Sequence, residues 1–335
     1  MSGSAGRGRI VFATQVIDPG HPFLGAAVPK IRALAERIDE VVVLTGRAEE
    51  GALPGNCRVR LFAAGSQAAR GGRFSSALLR ELSPRPLAVV AHLVPFYAIL
   101  AAPLARPLGV PVLLWFTHWK RTRRLVLAER LSTAVLSVDR RSFPLPSGKV
   151  VPIGHGIDTA RFACVEREPG PRLRAVALGR TSPAKGLETI ARAAALADVE
   201  LEVRGPSSTA GERAERERLE ALGVRVEPPV PYLDVPGLLA RKDVLVNNMR
   251  EGALDKVVYE AASTCMPVLA SNSGFDDVLP PALRFAADDA EALAARLREL
   301  AGAERNALGR ELRARVEERH SAGHWADEVL AVARR

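Results

Sequence analysis

The sequence lacks the features of membrane-spanning and disulfide-rich proteins. No stretch reaches the about 18 uncharged apolar residues of a transmembrane helix; residues 87–104 come nearest but contain His92 and prolines. The N-terminus enters an apolar run without an Ala-x-Ala cleavage site, so we expect no secretion signal. Cys57, Cys164 and Cys265 form no CxxC pair and predict neither a disulfide framework nor a zinc site. We therefore expect a cytoplasmic protein.

Common phosphate-binding and metal-binding motifs are also missing. Neither GxGxxG nor GxxxxGK[ST] occurs, which disfavours dinucleotide binding and P-loop hydrolysis. The sequence has no HExxH and no GxSxG. It also has no Asp-x-Asp pair to hold a divalent cation against a diphosphate. Protein groups must then neutralise any bound diphosphate, and we expect neither a metal nor a cofactor.

Charge is distributed unevenly along the 335 residues. Residues 1–155 carry 21 Lys and Arg against 9 Asp and Glu, whereas residues 156–335 carry 26 against 29. A basic surface suits an anionic lipid or an anionic substrate, although an Arg-rich composition with solvated charges explains the excess equally well. Trp115 and Phe116 are too few aromatic residues for a base-stacking platform, so we expect no nucleic-acid partner.

Short β-branched runs alternate with stretches of helical periodicity. The runs lie at residues 10–13, 41–44, 59–62, 87–90, 112–116, 134–137, 174–179, 200–204, 224–226, 244–246 and 268–270. This alternation predicts parallel sheets covered by helices. Passages rich in Pro and Gly at 143–157 and 166–172 predict a linker, and a last helical stretch is predicted at 289–318. We predict an N-terminal domain over 1–153, a C-terminal domain over 154–319, and a tail, 320–335, that packs back on the first domain.

Residues 178–188 (LGRTSPAKGLE) place two cations between a predicted strand and helix. The guanidinium of Arg180 can bind a diphosphate in bidentate fashion, the ammonium of Lys185 acts as a point charge, and the helix dipole favours the same anion. An ordinary strand-to-helix loop with solvated charges is the alternative interpretation.

Residues 250–262 (REGALDKVVYEAA) form a second such segment. A loop containing Gly252 ends at a predicted helix start, where backbone amides face an anion. Glu260 falls on this helix, where a carboxylate can accept hydrogen bonds from sugar hydroxyls. A solvated helical glutamate is the alternative, but the apolar neighbours favour a more buried position.

These two segments carry a family resemblance. The GR-x4-KG pattern at 179–186 and residues 260–271 (EAASTCMPVLAS) resemble the C-terminal domain of family 4 retaining glycosyltransferases. Residues 151–162 (VPIGHGIDTARF) resemble that family's inter-domain Pro-Asn-Gly-(Val/Ile)-Asp segment. The specific match covers about 150–275, and the N-terminal half resembles the family more loosely. The resemblance implies the GT-B fold, in which two doubly wound Rossmann-like domains face a central cleft.

The resemblance also implies a function. A nucleoside-diphosphate sugar would bind mainly to the C-terminal domain, and retaining transfer would go to a glycan, lipid or small-metabolite acceptor held mainly by the first. Arg180 and Lys185 match the residues that bind the donor diphosphate and stabilise its departure. Glu260 matches the residue that binds the ribose. His118 matches a histidine near the transferred sugar, whereas without the resemblance a lone strand-end histidine is typical of a structural residue.

The remaining donor-site candidates follow from the same comparison. Base recognition in this fold rests largely on backbone around positions such as Gly205 and Pro231. Lys256 begins the helix that carries Glu260. In the loop at 21–27 (HPFLGAA) the family's Gly-Gly pair is absent, so only Gly25 is carried over.

Two further departures affect the site. The family has a first glutamate eight positions before the one that Glu260 matches, and this sequence has Gly252 at that position. Glu251, displaced by one residue, and Asp255 are the two candidates to replace it. Trp119 follows His118 in place of a small or acidic residue. Residues 120–124 (KRTRR) then predict contact with an anionic membrane or acceptor, or simply a solvated helix start.

Two alternative functions stay open. One is a non-catalytic GT-B module that binds a nucleotide or a partner protein, favoured by the displaced Glu251 and the missing Gly-Gly pair. The other is an epimerase or a sugar phosphorylase on the same fold.

Overall fold

The computed structural model describes residues 8–22 and 24–335, and the chain forms two compact units. One unit comprises Met1–Gly156 with Ser321–Arg335, and the other comprises Ile157–His320. Each unit is a parallel sheet with helices. The predicted α/β class is therefore confirmed. None of the described helices combines the length and the apolarity that a bilayer crossing requires.

The first unit contains a seven-stranded parallel sheet with the order β5-β3-β1-β6-β7-β8-β9. The strands of this sheet are β1 (Arg9–Ala13), β3 (Glu40–Thr45), β5 (Cys57–Leu61), β6 (Ala88–His92), β7 (Val112–Trp115), β8 (Ala134–Ser137) and β9 (Val150–Pro152). Two short strands, β2 (Val16–Ile17) and β4 (Arg47–Ala48), form a separate pair. The central strands are buried and largely apolar, with charged or polar residues only at their ends. Strands of this kind are covered on both faces, which is why they lack the polar alternation of a one-sided sheet.

Four helices of the first unit follow the predicted periodic stretches. They are α1 (Ala27–Ala35), α2 (Gln67–Arg80), α3 (Pro95–Ala105) and α4 (Arg123–Leu131). The side chain of Ser66 accepts a hydrogen bond at the start of α2, and that of Thr122 does so at the start of α4. Such caps satisfy backbone N–H groups that the first helical turn leaves without partners.

The second unit has a five-stranded parallel sheet with the order β12-β11-β10-β13-β14. The strands are β10 (Arg174–Leu178), β11 (Glu200–Arg204), β12 (Val226–Glu227), β13 (Val244–Asn247) and β14 (Val268–Ala270). The strand order reverses between β10 and β13, so their carboxyl ends form a topological switch point, where ligands bind in open α/β sheets. The two segments singled out in the sequence follow β10 and β13, respectively.

The helices of the second unit are α5 (Leu187–Leu196), α6 (Ala210–Ala221), α7 (Val235–Ala240), α8 (Lys256–Ser263), α9 (Ala290–Ala301) and α10 (Arg305–His320). The helical stretch predicted over residues 289–318 consists of two helices, because α9 ends at the C-cap Gly302 and α10 begins three residues later. Glycine is a poor helix former and a common residue at helix C-termini, so it interrupts an otherwise periodic stretch.

The last helix, α11 (Ala322–Ala333), belongs to the first unit. Trp325 on this helix is fully buried, and its ring lies edge-on to that of Trp115 at 5.6 Å. The buried Nζ of Lys30 lies 5.8 Å from the Trp115 ring and 5.9 Å from the Trp325 ring. An ion pair at 2.7 Å joins Arg37 to Asp327 at the surface. Aromatic burial and cation-π attraction thus hold the tail in the first unit.

Cys164 and Cys265 form a disulfide, contrary to the expectation from the sequence. The two residues are 101 positions apart, yet their Cα atoms lie 4.9 Å from each other. Cys265 occupies the turn after α8, and the fold brings it to the segment that precedes β10. Separation along the chain says nothing about the Cα–Cα distance and the side-chain directions, which decide whether two cysteines can be bridged. Cys57 is a free cysteine.

Candidate functional site

The loop after β10 depends on two glycines at a close backbone approach. Gly179 has φ +116°, and a Cβ added there would lie 2.7 Å from Nζ of Lys185. A Cβ on Gly205, at the end of the adjacent strand, would lie only 1.9 Å from the carbonyl oxygen of Gly179. At Gly205 the clash is with backbone, so no side chain fits there, whereas at Gly179 the positive φ strains any other residue and a side chain would displace the Lys185 ammonium. Gly205, predicted to lie near the nucleotide base, is therefore part of the packing that shapes this loop.

The Lys185 side chain is enclosed within the second unit. Its Nζ donates a hydrogen bond to the carbonyl oxygen of Leu178 at 2.8 Å and forms an ion pair with the Asp255 carboxylate. Only 11% of the lysine side chain is exposed. Asn247 donates a second hydrogen bond, of 3.2 Å, to Oδ2 of Asp255. Lys185, the lysine predicted to bind the diphosphate, is thus held in a defined position by groups from both loops at the switch point.

Arg180 occupies the outer side of the same loop. Its side chain is 53% exposed, and its guanidinium lies 3.8 Å from the Glu212 carboxylate. Although burial acts in the opposite direction, backbone N–H groups of Thr209 and Ser208 and the charge of Arg180 lower the pKa of Glu212. The two cations of the GR-x4-KG pattern therefore differ: one is enclosed and ion-paired, and the other lies at the surface beside an ionised carboxylate.

The loop after β13 is fixed to its neighbours by amide side chains. Asn248 donates to Oδ1 of Asp288 at 2.8 Å and to the carbonyl oxygen of Gly186 at 3.3 Å. The backbone N–H of Arg250 donates to the carbonyl oxygen of Ala184 at 3.1 Å. These bonds hold the two loops against each other, which preorganises the site.

The two rivals for the family's first glutamate have different surroundings. The Glu251 carboxylate accepts hydrogen bonds from the backbone N–H of Ser273 at 2.7 Å and from its hydroxyl at 3.0 Å. Glu251 is therefore engaged with the segment after β14, whereas Asp255 contacts Lys185. Gly252 lies between them with φ +78°.

Glu260 is buried, with 3% of the residue exposed, so the structure excludes the alternative of a solvated helical glutamate. Its Oε1 atom accepts a 2.8 Å hydrogen bond from the hydroxyl of Tyr232 and forms an ion pair with Lys256. Nζ of Lys256 also lies 3.9 Å from the centroid of the Tyr232 ring. Sequence reasoning missed Tyr232, whose one available signal was its place directly after Pro231.

The two remaining candidates lie in the first unit. His118 follows β7, and its Nδ1 accepts a 3.0 Å hydrogen bond from the backbone N–H of Lys120, so a neutral ring carries its proton on Nε2. The His118 ring stacks on that of Trp119 at 5.6 Å. Gly25 lies in a turn before α1, where its N–H donates to the carbonyl oxygen of His21 at 2.9 Å.

No group of three or more His, Cys, Asp or Glu residues within 8–22 and 24–335 is arranged to hold a metal ion.

Comparison with known proteins agrees with this geometry. Residues 180–331 match the family described as glycosyl transferase-like. Sucrose-phosphate synthase from Thermosynechococcus elongatus superposes with a TM-score of 0.77 at 16% identity, covering 98% of each chain. The fold is GT-B. The predicted fold is therefore confirmed, as is the resemblance to glycosyltransferases.

Two further GT-B structures show the range of this fold. HepE from Anabaena, solved in complex with UDP, has a TM-score of 0.75 at 15% identity and covers 97% of this chain and 99% of its own. A UDP-GlcNAc 2-epimerase from Methanocaldococcus jannaschii has a TM-score of 0.59 at 14% identity, with 97% and 98% covered. No curated protein sequence gives a significant match. At these identities the structures establish the fold and leave the activity to be argued from the site.

Proposed function

We propose that this GT-B protein is a family 4 retaining glycosyltransferase that uses a nucleoside-diphosphate sugar without a metal ion. The observation that carries the proposal is the pair of linked loops at the β10–β13 switch point, which contain Arg180, Lys185 and Asp255. The family match from residue 180 onwards and the UDP bound by HepE support it. The acceptor is a glycan, a lipid or a small metabolite.

In this mechanism the second unit binds the donor. Arg180 and Lys185 offset the charge that develops on the diphosphate as it leaves, because preorganised cations stabilise an anion most strongly where it forms. The N-terminus of α8, which follows Gly252, adds aligned backbone amides. Backbone near Gly205 and Pro231 recognises the base.

The sugar requires groups of its own. Asp255 takes the place of the family's first glutamate and binds sugar hydroxyls, an assignment supported by its contact with Lys185 and by the engagement of Glu251 with Ser273. His118 acts beside the transferred sugar. Departure of the diphosphate and attack by the acceptor occur on the same face of the sugar, so no side-chain nucleophile is needed.

The proposal is tested by thermal-shift screening with UDP, GDP and ADP, followed by turnover assays with the matching nucleotide sugars. We expect one nucleoside diphosphate to stabilise the protein and its sugar to be transferred with retained anomeric configuration. Binding without turnover would indicate a non-catalytic module. Conversion of the free nucleotide sugar to an epimer would indicate an epimerase, and sugar phosphate formed with inorganic phosphate would indicate a phosphorylase.

Activity is expected to survive EDTA. In this proposal Arg180 and Lys185 supply the neutralising charge, and no group of three or more His, Cys, Asp or Glu residues in the described part of the chain is arranged around a metal site. Turnover measured with EDTA and with added Mg²⁺ or Mn²⁺ checks this expectation. A strict requirement for either metal would contradict the metal-free mechanism while leaving donor binding intact.

Glu260→Ala is expected to weaken binding of the nucleoside diphosphate in the absence of acceptor. Losing a charge-assisted hydrogen bond to the ribose costs about 1.5 to 3 kcal/mol, which is about ten- to a hundredfold in affinity. Calorimetry measures the change. Glu220→Ala is the matched control, since Glu220 lies on the exposed surface of α6 paired with Arg216. Unchanged affinity in the Glu260 variant would count against its assignment to the ribose.

We further propose that the basic run at 120–124 docks the protein peripherally on an anionic membrane at the cytoplasmic face. Lys120, Arg121, Arg123 and Arg124 are all exposed. Each contributes about 1 kcal/mol at most near an anionic surface, which allows reversible docking but not insertion.

Co-sedimentation with anionic and neutral vesicles tests the docking. We expect binding to anionic vesicles only, falling as salt shortens the Debye length below about 8 Å. The double variant Arg123→Glu with Arg124→Glu should lose it, whereas Arg216→Glu on α6 should retain it. Equal and negligible pelleting with both vesicle types would instead support a soluble acceptor and a solvated helix start.

A further inference from the structure

Tyr232 is enclosed beside the proposed ribose carboxylate. It begins a short 3-10 turn, Tyr232–Asp234, directly after Pro231. Only 4% of the residue is exposed, and its ring lies 5.8 Å from that of Phe162. A buried phenol requires a hydrogen-bond partner, and here the hydroxyl donates to Oε1 of Glu260 at 2.8 Å.

Lys256 completes a three-residue cluster with Tyr232 and Glu260. Its ammonium group lies over the Tyr232 ring and pairs with the same Oε1 atom that accepts the phenol. An ionised carboxylate offers about four acceptor positions over its two oxygens. The other oxygen, Oε2, accepts no hydrogen bond from residues 8–22 and 24–335.

The phenol remains a donor throughout the neutral pH range. Burial, and then the negative charge of Glu260, raise the pKa of Tyr232 well above its usual value of 10.0. The phenol proton needed for the hydrogen bond to Oε1 of Glu260 is therefore retained at neutral pH.

We propose that Tyr232, with Lys256, is a positioning residue for nucleotide recognition, because the two hold Oε1 of Glu260 and turn Oε2 towards the ribose hydroxyls. The inference rests on the proposed function, in which Glu260 binds the ribose. The terminal torsion of a glutamate is broad, so an unanchored carboxylate rotates and presents either oxygen in a range of directions. Two fixed contacts on one oxygen remove that freedom before the nucleotide binds.

Tyr232→Phe isolates the hydroxyl, because phenylalanine keeps the ring beneath Lys256. Affinity is measured by calorimetry for UDP, GDP or ADP, whichever the wild-type protein binds, and for its 2′-deoxy counterpart. We expect the wild-type protein to prefer the ribonucleotide. The variant should lose about tenfold in affinity for the ribonucleotide and much less for the deoxynucleotide, so that the ratio of the two affinities falls.

Tyr259→Phe is the matched control. It makes the same change on α8, the helix that carries Glu260, but the Tyr259 ring packs against Phe275 at 5.6 Å and against His320 at 4.3 Å. The affinity ratio of this variant should equal that of the wild-type protein. In the Glu260→Ala background, Tyr232→Phe should cause no further loss, since the carboxylate that it positions is absent.

The outcomes separate the inference from the proposed function. An equal loss of affinity for both nucleotides in Tyr232→Phe would leave their ratio unchanged, show a packing role and overturn the inference. Wild-type affinity for the ribonucleotide in this variant would overturn it too. Failure of the wild-type protein to bind any of the three nucleoside diphosphates would overturn the proposed function, and this inference with it.

Discussion

Replacing Lys185 by alanine is expected to lower the turnover number about a hundredfold or more at saturating donor. The ammonium group is already held by the Leu178 carbonyl and Asp255, so it meets the leaving diphosphate without reorganisation. Removing one preorganised group that stabilises a developing anion typically costs about 10² to 10³ in kcat. The turnover number is measured on purified protein whose thermal unfolding shows that it is folded.

Arg180→Ala is expected to lower the turnover number to a similar extent, because it removes the second positive charge that this loop offers to the leaving diphosphate. Arg192→Ala serves as the control for both variants, because Arg192 is an exposed arginine on α5 whose guanidinium lies 3.8 Å from Glu188. Its turnover should equal that of the wild-type protein. Wild-type turnover in a folded Lys185 or Arg180 variant would remove the central claim of the mechanism.

Cys164→Ser is expected to lower the free energy of unfolding by about 2 to 5 kcal/mol under non-reducing conditions. A cross-link that closes a loop of about a hundred residues restricts the unfolded chain strongly. Cys164 is exposed whereas Cys265 is buried, so the serine at 164 disturbs the packing least. Urea denaturation measures the loss.

Reduction of the wild-type protein should reproduce the effect of Cys164→Ser and should leave that variant unchanged. Cys57→Ser is the control, since Cys57 is the free cysteine and lies in the other unit. Equal stability of the oxidised wild-type protein and the Cys164 variant would contradict a stabilising disulfide.

The sequence by itself determined the sheet architecture. The apolar runs predicted at 174–179 and 244–246 became the strands β10 and β13, which meet at the switch point. Strands buried on both faces must be apolar throughout, so the pattern is readable without the fold. The pattern placed strand ends less well at the sheet edge, where the run predicted at 224–226 became β12 at Val226–Glu227.

Part of the site was also readable from the sequence. The GR-x4-KG loop follows β10 as predicted, and its glycines adopt positive φ values that other residues rarely adopt. The apolar neighbours of Glu260 correctly indicated burial, because a helix that is apolar on all sides is enclosed, and α8 is buried from Val257 to Ser263. The catalytic and binding roles of these residues stay predictions until the variants are measured.

Only the tertiary structure decided how distant residues pair. It placed Asp255, and not Glu251, beside Lys185, put the phenol of Tyr232 on Glu260 from 28 positions away, and joined Cys164 to Cys265. A single sequence records local preferences, namely which segments are apolar, periodic or able to turn. Hydrogen bonds, ion pairs and disulfides depend on distances of a few ångströms, which are set when separate strands and helices pack together.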